Sequence, residues 1–373
     1  MHPPRFAMLA ALLLAACSSG GGLFAQERPF QVETLATFAE PWAMTFLPGG
    51  DLLVTEKRGA LKLRLADGRI LDVAGVPQVS YGGQGGFGDV VLHPDFARNG
   101  LVYLSWIEAG EGSTRGAVVG RGRLVRGEAG AAIEGLEVIW RQQPKVEGGG
   151  HFSHRIAFGP DGKLYISSGE RQNFDPAQDM AVNLGKVVRL NDDGSVPADN
   201  PWSARGGVTA QIWTLGHRNL LGLAFAPDGR LWEVEMGPQG GDELNLIQRG
   251  RNYGWPRASN GSHYDGRDIP DHRPGDGFEP PKVWWNPSVS PSSLLIYTGS
   301  MFPEWRGDAL IGALSGQALI HVDIHGESAA KADQWDMGHR IREVEQGPDG
   351  AVYLLEDGDG GRLLRLTPIS RRG

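Results

Sequence analysis

One arrangement of apolar and polar positions recurs along the chain: an apolar stretch ending in Phe, a Pro-Asp-Gly corner, and a second apolar stretch ending in an aromatic residue. It reads Ala157-Phe158-Gly159-Pro160-Asp161-Gly162-Lys163-Leu164-Tyr165 and Ala224-Phe225-Ala226-Pro227-Asp228-Gly229-Arg230-Leu231-Trp232. Looser copies are Thr45-Phe46-Leu47-Pro48-Gly49-Gly50-Asp51-Leu52-Leu53 and Glu345-Gln346-Gly347-Pro348-Asp349-Gly350-Ala351-Val352-Tyr353. Pro presets the first central angle of a turn, and Asp-Gly completes the reversal. The flanking runs alternate, as in Lys163-Leu164-Tyr165-Ile166-Ser167, so each copy predicts a β-hairpin.

Degenerate copies at Leu92-His93-Pro94-Asp95-Phe96 and Phe302-Pro303-Glu304-Trp305 bring the number of units to six, marked by Pro48, Pro94, Pro160, Pro227, Pro303 and Pro348. Spaced hairpins also occur in β-sandwiches. Six units separated by long insertions predict instead an all-β, six-bladed β-propeller, which protects its sheet edges by radial repetition. The insertions 140–155, 168–219, 235–300 and 314–342 are expected as loops gathered at one mouth of the central channel, where a rigid scaffold presents functional residues.

Composition sharpens this picture. The chain holds 56 Gly in 373 residues, about twice the usual share, which suits turns and disfavours a helical bundle. With 36 Lys+Arg against 44 Asp+Glu, the net charge is −8, and there is no basic footprint for nucleic acid. Arg5 and the apolar run Phe6–Ala16 read as an export signal too short to span a bilayer. It ends in Leu14-Ala15-Ala16-Cys17, which resembles a bacterial lipobox. The expected organisation is a lipoprotein signal peptide over 1–17 with Cys17 lipidated, a tether over 18–28 and a single propeller domain over 29–373. Cys17 is the single cysteine, so no disulfide is expected.

Gly83-Gln84-Gly85-Gly86-Phe87-Gly88 matches a dinucleotide fingerprint only formally, because a strand-like run rather than a helix follows it. These glycines are expected to turn the backbone into the channel and present Gln84. His151 and His154 are spaced as a zinc pair but lie among glycines and off any helix. No nucleophile elbow is present. After Gly148-Gly149-Gly150, His151 is a candidate general base. Gly237-Pro238 through Asp242-Glu243 offers carbonyls and carboxylates, the oxygen donors that suit Ca²⁺. Arg340 and Arg342 alternate on one strand face and can clamp a carboxylate.

Taken together, Glu40-Pro41-Trp42-Ala43-Met44, Gly83-Gln84-Gly85-Gly86, Gly149-Gly150-His151-Phe152, Gly216-His217-Arg218-Asn219, Gly237-Pro238 through Asp242-Glu243, Asn252-Tyr253-Gly254-Trp255-Pro256, Gly312-Ala313-Leu314 and Arg340-Ile341-Arg342 form a recognisable set. From about Phe38 to Leu366 the chain resembles the soluble, pyrroloquinoline-quinone (PQQ)-dependent sugar dehydrogenases, the aldose sugar and glucose/sorbosone dehydrogenase family. The resemblance implies oxidation of aldoses at C1 to lactones, with PQQ and Ca²⁺ as cofactors. It implies that His151 takes the C1 hydroxyl proton, that Arg218 stabilises charge on the quinone, and that Gln84 and Asn219 touch cofactor or substrate. Arg340 and Arg342 correspond to the clamp on PQQ carboxylates, the Gly237 and Pro238 carbonyls to ligands of the PQQ-bridging Ca²⁺, and Glu243 and Tyr253 to a second calcium site. A periplasmic or membrane electron acceptor would follow. Two positions depart from the family pattern: Leu220 where Pro is usual, and Ser315 where a Lys pairs with PQQ. Losing one charged partner costs about 1.5–3 kcal/mol. Ser315 therefore motivates an alternative, a propeller without redox chemistry that hydrolyses lactones with calcium or binds glycans.

Overall fold

The computed structural model describes residues 27–127 and 130–369; the expected signal segment, Cys17 and most of the tether lie outside them. The strands form six four-stranded antiparallel blades. Their innermost strands are Pro41–Phe46, Phe87–Leu92, Ser153–Phe158, Leu220–Phe225, Pro291–Ile296 and Ile341–Gln346. Each of these packs on the next, and the last packs on the first, so the ring closes around a channel. The N-terminal strand Phe30–Ala39 is the outermost strand of the last blade, paired with Asp359–Pro368. Blades 1 and 2 are further joined at their rims, where Val73 and Ala74 pair in parallel with Ala131 and Ala132.

The Pro-Asp-Gly copies are the hairpins between first and second strands. Four close on equivalent bonds, from Leu47, Gly159, Ala226 and Gly347 N–H to the carbonyls of Asp51, Lys163, Arg230 and Ala351. Gly50, Gly162, Gly229 and Gly350 take left-handed angles there, which explains the recurrent glycine. The degenerate copies are longer corners holding a single helical turn, Phe96–Asn99 and Pro303–Trp305. The fifth strand end is Ile296, so the residue equivalent to the other turn prolines is Thr298 rather than Pro303.

Two expectations change. The second strands alternate in sequence, yet Leu52–Glu56, Leu164–Ser168, Leu231–Glu235, Ala309–Ala313 and Val352–Glu356 are buried throughout. Blades pack face to face, so polar positions such as Ser167 face a neighbouring blade, not water. The insertions are also not simply loops. They carry third and fourth strands, such as Lys186–Leu190, Asp242–Ile247 and Ala318–His325.

Every first strand slips register against its partner within its first few residues. Such bulges re-aim side chains and are frequent next to active sites. Here they turn Trp42, His154, Leu221 and Arg342 into one cavity at the mouth of the channel.

Away from the channel, His321 in blade 5 holds Asp333 through Nδ1 (3.2 Å) and Asp308 through Nε2 (3.1 Å). Burial opposes its charge, but these carboxylates outweigh burial and raise its pKa. A raised imidazolium pKa gives stability that is complete below the unfolded value and lost as pH rises through the folded one. Denaturant unfolding of the wild type and His321→Gln should therefore differ by about 1 kcal/mol near pH 5.5, a figure reduced by solvent screening of the half-exposed Asp323 and Asp333. The gap should close by about pH 9; a gap that widens with pH would contradict the assignment.

Candidate active site

The mouth cavity measures about 380 Å³, within the range of small-molecule sites. Gln84, Asn219, Arg340 and Arg342 line it, as do Phe152, Ser153 and His154. His151 is one residue outside this lining and only 6% exposed. Its main-chain N–H donates to Gln84 Oε1 (2.7 Å), which ties the candidate base to the cavity wall.

The glycine run before the strand at Phe87 works as expected. Gln84 N–H donates to Gly149 O (2.7 Å). A Cβ on Gly83 would meet that same carbonyl at 2.4 Å, and one on Gly86 would meet Lys57 O at 2.1 Å. The two loops touch there because position 83 lacks a side chain, whereas a Cβ on Gly149 would make only an ordinary 3.6 Å contact with Gly83. The strand Phe87–Leu92, not a helix, follows the glycines directly, so the dinucleotide reading is excluded.

The residues that hold His151 are less visible in the sequence. Glu170, fully buried, hydrogen-bonds His151 Nδ1 through Oε1 and accepts Phe174 N–H through Oε2. A carboxylate accepting at Nδ1 leaves the Nε2 lone pair as the basic site. Burial lowers the pKa of His151, Glu170 raises it, and Arg218 lowers it. Arg171 clamps the loop from beneath. Its guanidinium lies 3.8 Å from the Phe152 ring centroid and donates to Gly148 O, Gly150 O and Arg115 O. His151, Ser153 and His154, and facing them Arg171, Gln172 and Phe174, all have φ between +50° and +65°. Such angles cost about 1 kcal/mol or more each and cluster where structure serves a site. The signal was Gly169-Glu170-Arg171 directly after a blade strand: a Cβ on Gly169 would sit 2.0 Å from His151 O.

His154 and His151 do not converge. His154 stacks on Trp42 at 5.0 Å and hydrogen-bonds Ser105 Oγ. Burial and the adjacent Arg155 push its pKa down to about 3, so it is a neutral wall of the cavity. Gly88 makes room for it.

Arg218 precedes the cavity-lining Asn219 but itself lines the small second cavity beside the calcium-type turn. Its N–H donates to Glu235, and Nη1 donates to Met236 O (2.9 Å) and Gly237 O (2.5 Å). Its buried Nε has no partner. Tyr264, 75% exposed, has its hydroxyl 3.5 Å from Nη2 and was not singled out from the sequence. Asn219 accepts from Ser153 Oγ (3.2 Å). Arg340 and Arg342 do converge, although Arg340 precedes the strand and Arg342 sits at its bulge. Both are held by Asp357, at 2.8 and 2.7 Å.

The donor sets expected for calcium differ from one another. Gly237 O is engaged by Arg218, and Pro238 O accepts from Ser288 Oγ. Asp242 braces this turn by accepting from Gly237, Val289 and Ser290 N–H. The turn therefore does not present two uncommitted carbonyls. Glu243 and Tyr253, by contrast, line a small buried cavity together with Glu235 and Gly216. The Tyr253 hydroxyl is committed to Leu246 O (2.6 Å), which leaves its main-chain carbonyl as the donor. Glu233, Glu235 and Glu243 all approach Asn245 Nδ2. Burial, then the Glu235 charge, pushes Glu233 and Glu243 well above the carboxylate range. Clustered buried carboxylates fit a hard divalent cation.

Residues 38–365 match the family model described as Glucose / Sorbosone dehydrogenase. The chain belongs to this family. It is 37% identical over 377 residues to aldose sugar dehydrogenase YliI of Escherichia coli (strain K12), covering 99% of this chain and all of that one. The soluble aldose sugar dehydrogenase of Escherichia coli, solved in its apo-form, superposes with a TM-score of 0.86 at 38% identity, covering 91% of this chain and 100% of that one. The PQQ-bound form of aldose sugar dehydrogenase from Streptomyces coelicolor superposes with a TM-score of 0.75 at 30% identity, covering 91% and 98%. Membership in this family supports a sugar dehydrogenase and confirms the six-bladed fold.

Proposed function

We propose that the protein is a PQQ-dependent dehydrogenase that oxidises aldoses at C1 to lactones. The observation that carries this reading is the buried His151–Glu170 pair beside a cavity lined by Gln84, Asn219, Arg340 and Arg342.

His151 is the base. Nε2 takes the proton of the C1 hydroxyl, and Glu170 stabilises the resulting imidazolium through Nδ1–H. Arg171 and Gln84 fix the loop, so little reorganisation is needed as the proton moves. PQQ, when bound, supplies an acceptor for the hydride; its carboxylates match Arg340 and Arg342, and the residues present fit it. Ca²⁺ would be held by Glu243 with the Tyr253 carbonyl. The Gly237 and Pro238 carbonyls would hold a second ion through the lone pair that the Arg218 and Ser288 bonds leave on each. Ser315, the position that motivates the non-redox alternative, is exposed and bonded to Ser290 Oγ (2.8 Å), a residue of the cavity lining. The missing charge thus falls at the rim. We further propose an exported, periplasmic protein anchored through Cys17, with electrons leaving to a periplasmic or membrane acceptor.

The test is omission. Chelator-treated protein is given an aldose, an acceptor dye, PQQ and Ca²⁺, each left out in turn. Dye reduction with equimolar lactone only in the complete mixture supports the reading. Lactone hydrolysis without PQQ, and no dye reduction with it, would replace it by the non-redox alternative.

Glu170→Gln should lower kcat about 10–100-fold with little change in KM, because the amide oxygen still receives Nδ1–H but the charge is gone. Without that carboxylate the His151 pKa falls, so the acidic limb of the pH–rate profile should move to lower pH. An unmoved limb would show that Glu170 is only structural.

A further inference from the structure

The cavity wall carries more positive charge than its own carboxylates neutralise. Lys57 follows the strand Leu52–Glu56, and its main chain is fixed on both sides. Its N–H donates to Glu40 O (2.9 Å), and its carbonyl accepts from Phe87 N–H (2.8 Å). The half-buried side chain lines the mouth cavity with Gln84, Arg340 and Arg342. Nζ donates to Gly83 O (2.7 Å) and lies 5.5 Å from the Tyr81 ring centroid.

The acids nearby are committed elsewhere. Glu40 pairs with Arg58 (2.8 Å) and accepts from the Tyr81 hydroxyl. Asp357 is shared by Arg340 and Arg342. Among the described residues, no carboxylate oxygen lies within 4.0 Å of Lys57 Nζ. Burial lowers its pKa, the Glu40 charge opposes that shift, and the adjacent Arg342 adds to it. Three cations, Lys57, Arg340 and Arg342, line the cavity with two carboxylates, Glu40 and Asp357, both already paired with arginines, and the surplus positive charge matches a ligand carrying more than one acidic group.

We infer that Lys57 is a ligand-binding residue of this site, its ammonium pairing with a carboxylate of the bound quinone. The inference rests on the PQQ reading and extends it. The charge missing at Ser315, in blade 5, is then supplied from blade 1. Gly83, whose carbonyl orients Nζ, also seats the Gln84 loop, so the cation and the loop that carries Gln84 are set by one turn.

The experiment is an equilibrium titration of the cofactor-free full chain with PQQ in the presence of Ca²⁺, followed by tryptophan fluorescence quenching and quinone absorbance. Lys57→Gln keeps an amide to donate to Gly83 O but removes the charge; Lys57→Met is a second uncharged variant should the first not fold. Either should weaken binding about 10–100-fold, and Lys57→Arg should stay within about threefold of wild type. The loss should vanish when the trimethyl ester of PQQ replaces the acid. Wild-type affinity in the uncharged variants, or an equal loss with the ester, overturns the role of Lys57. Absence of PQQ binding by the wild type overturns the cofactor reading itself, and this inference with it.

Discussion

Alanine at His151 is expected to lower kcat with aldoses by about 10²–10⁴-fold, the range of a positioned general base, while PQQ binding changes little. The reason lies in the geometry of the loop. His151 is carried at φ +50°, pinned by Gln84 at its N–H and by Glu170 at its ring. The two neighbouring buried imidazoles are committed elsewhere: His154 is held on Trp42 by Ser105, and His217 is bonded to Thr214 and Glu235. Steady-state kinetics with the variant, at saturating PQQ and Ca²⁺, check the result. A loss confined to KM would mean that His151 only orients substrate. Added imidazole should restore part of the rate to the alanine variant.

Arg155→Met should destabilise the fold by about 3–5 kcal/mol, the cost of leaving buried carboxylates without their cation. This one guanidinium, at the bulge of blade 3, touches the other five blades. It lies 4.1 Å from the Trp42 ring centroid in blade 1 and reaches Asp89 in blade 2 at 3.4 Å. It donates to Leu221 O in blade 4 and Ser292 O in blade 5, both at 2.7 Å, and pairs with Glu343 in blade 6 at 2.6 Å. It also bounds the lower channel cavity, with Asp89, Glu343 and Glu345. Burial already pushes Glu343 up to about 8, with Arg155 holding it down. Without Arg155 its folded pKa rises further. A carboxyl with a raised folded pKa favours the protonated protein, so its penalty grows as pH rises above the unfolded value. The loss should therefore be larger near pH 8 than near pH 5. Arg155→Met with Glu343→Gln should recover part of it. A loss under about 1 kcal/mol at both pH values would show that the hub is dispensable.

The repeat made the fold legible because each Pro-Asp-Gly copy encodes its own hairpin. It failed at Pro303, where the corner holds an extra helical turn, and it hid the outer strands inside apparent insertions. Site residues were legible where glycines thin the backbone, at Gln84 and His151, and where charges alternate, at Arg340 and Arg342. Glu170, Arg171, Asp357 and Lys57 were not. Each acts on a segment distant in sequence, and only blade packing brings them together. The bulges were also invisible, since a register slip leaves no mark in composition. At Gly237 the expectation met a competitor: the carbonyl set for a cation is used by the Arg218 guanidinium.

The central claim is most directly tested by titrating Ca²⁺-supplemented, cofactor-free protein with PQQ and following dye reduction by glucose and other aldoses. The account predicts activity that is absent without PQQ, rises with it, and saturates near one equivalent per chain. Failure of any aldose to drive dye reduction at micromolar PQQ, with no spectral change in the quinone, would contradict it.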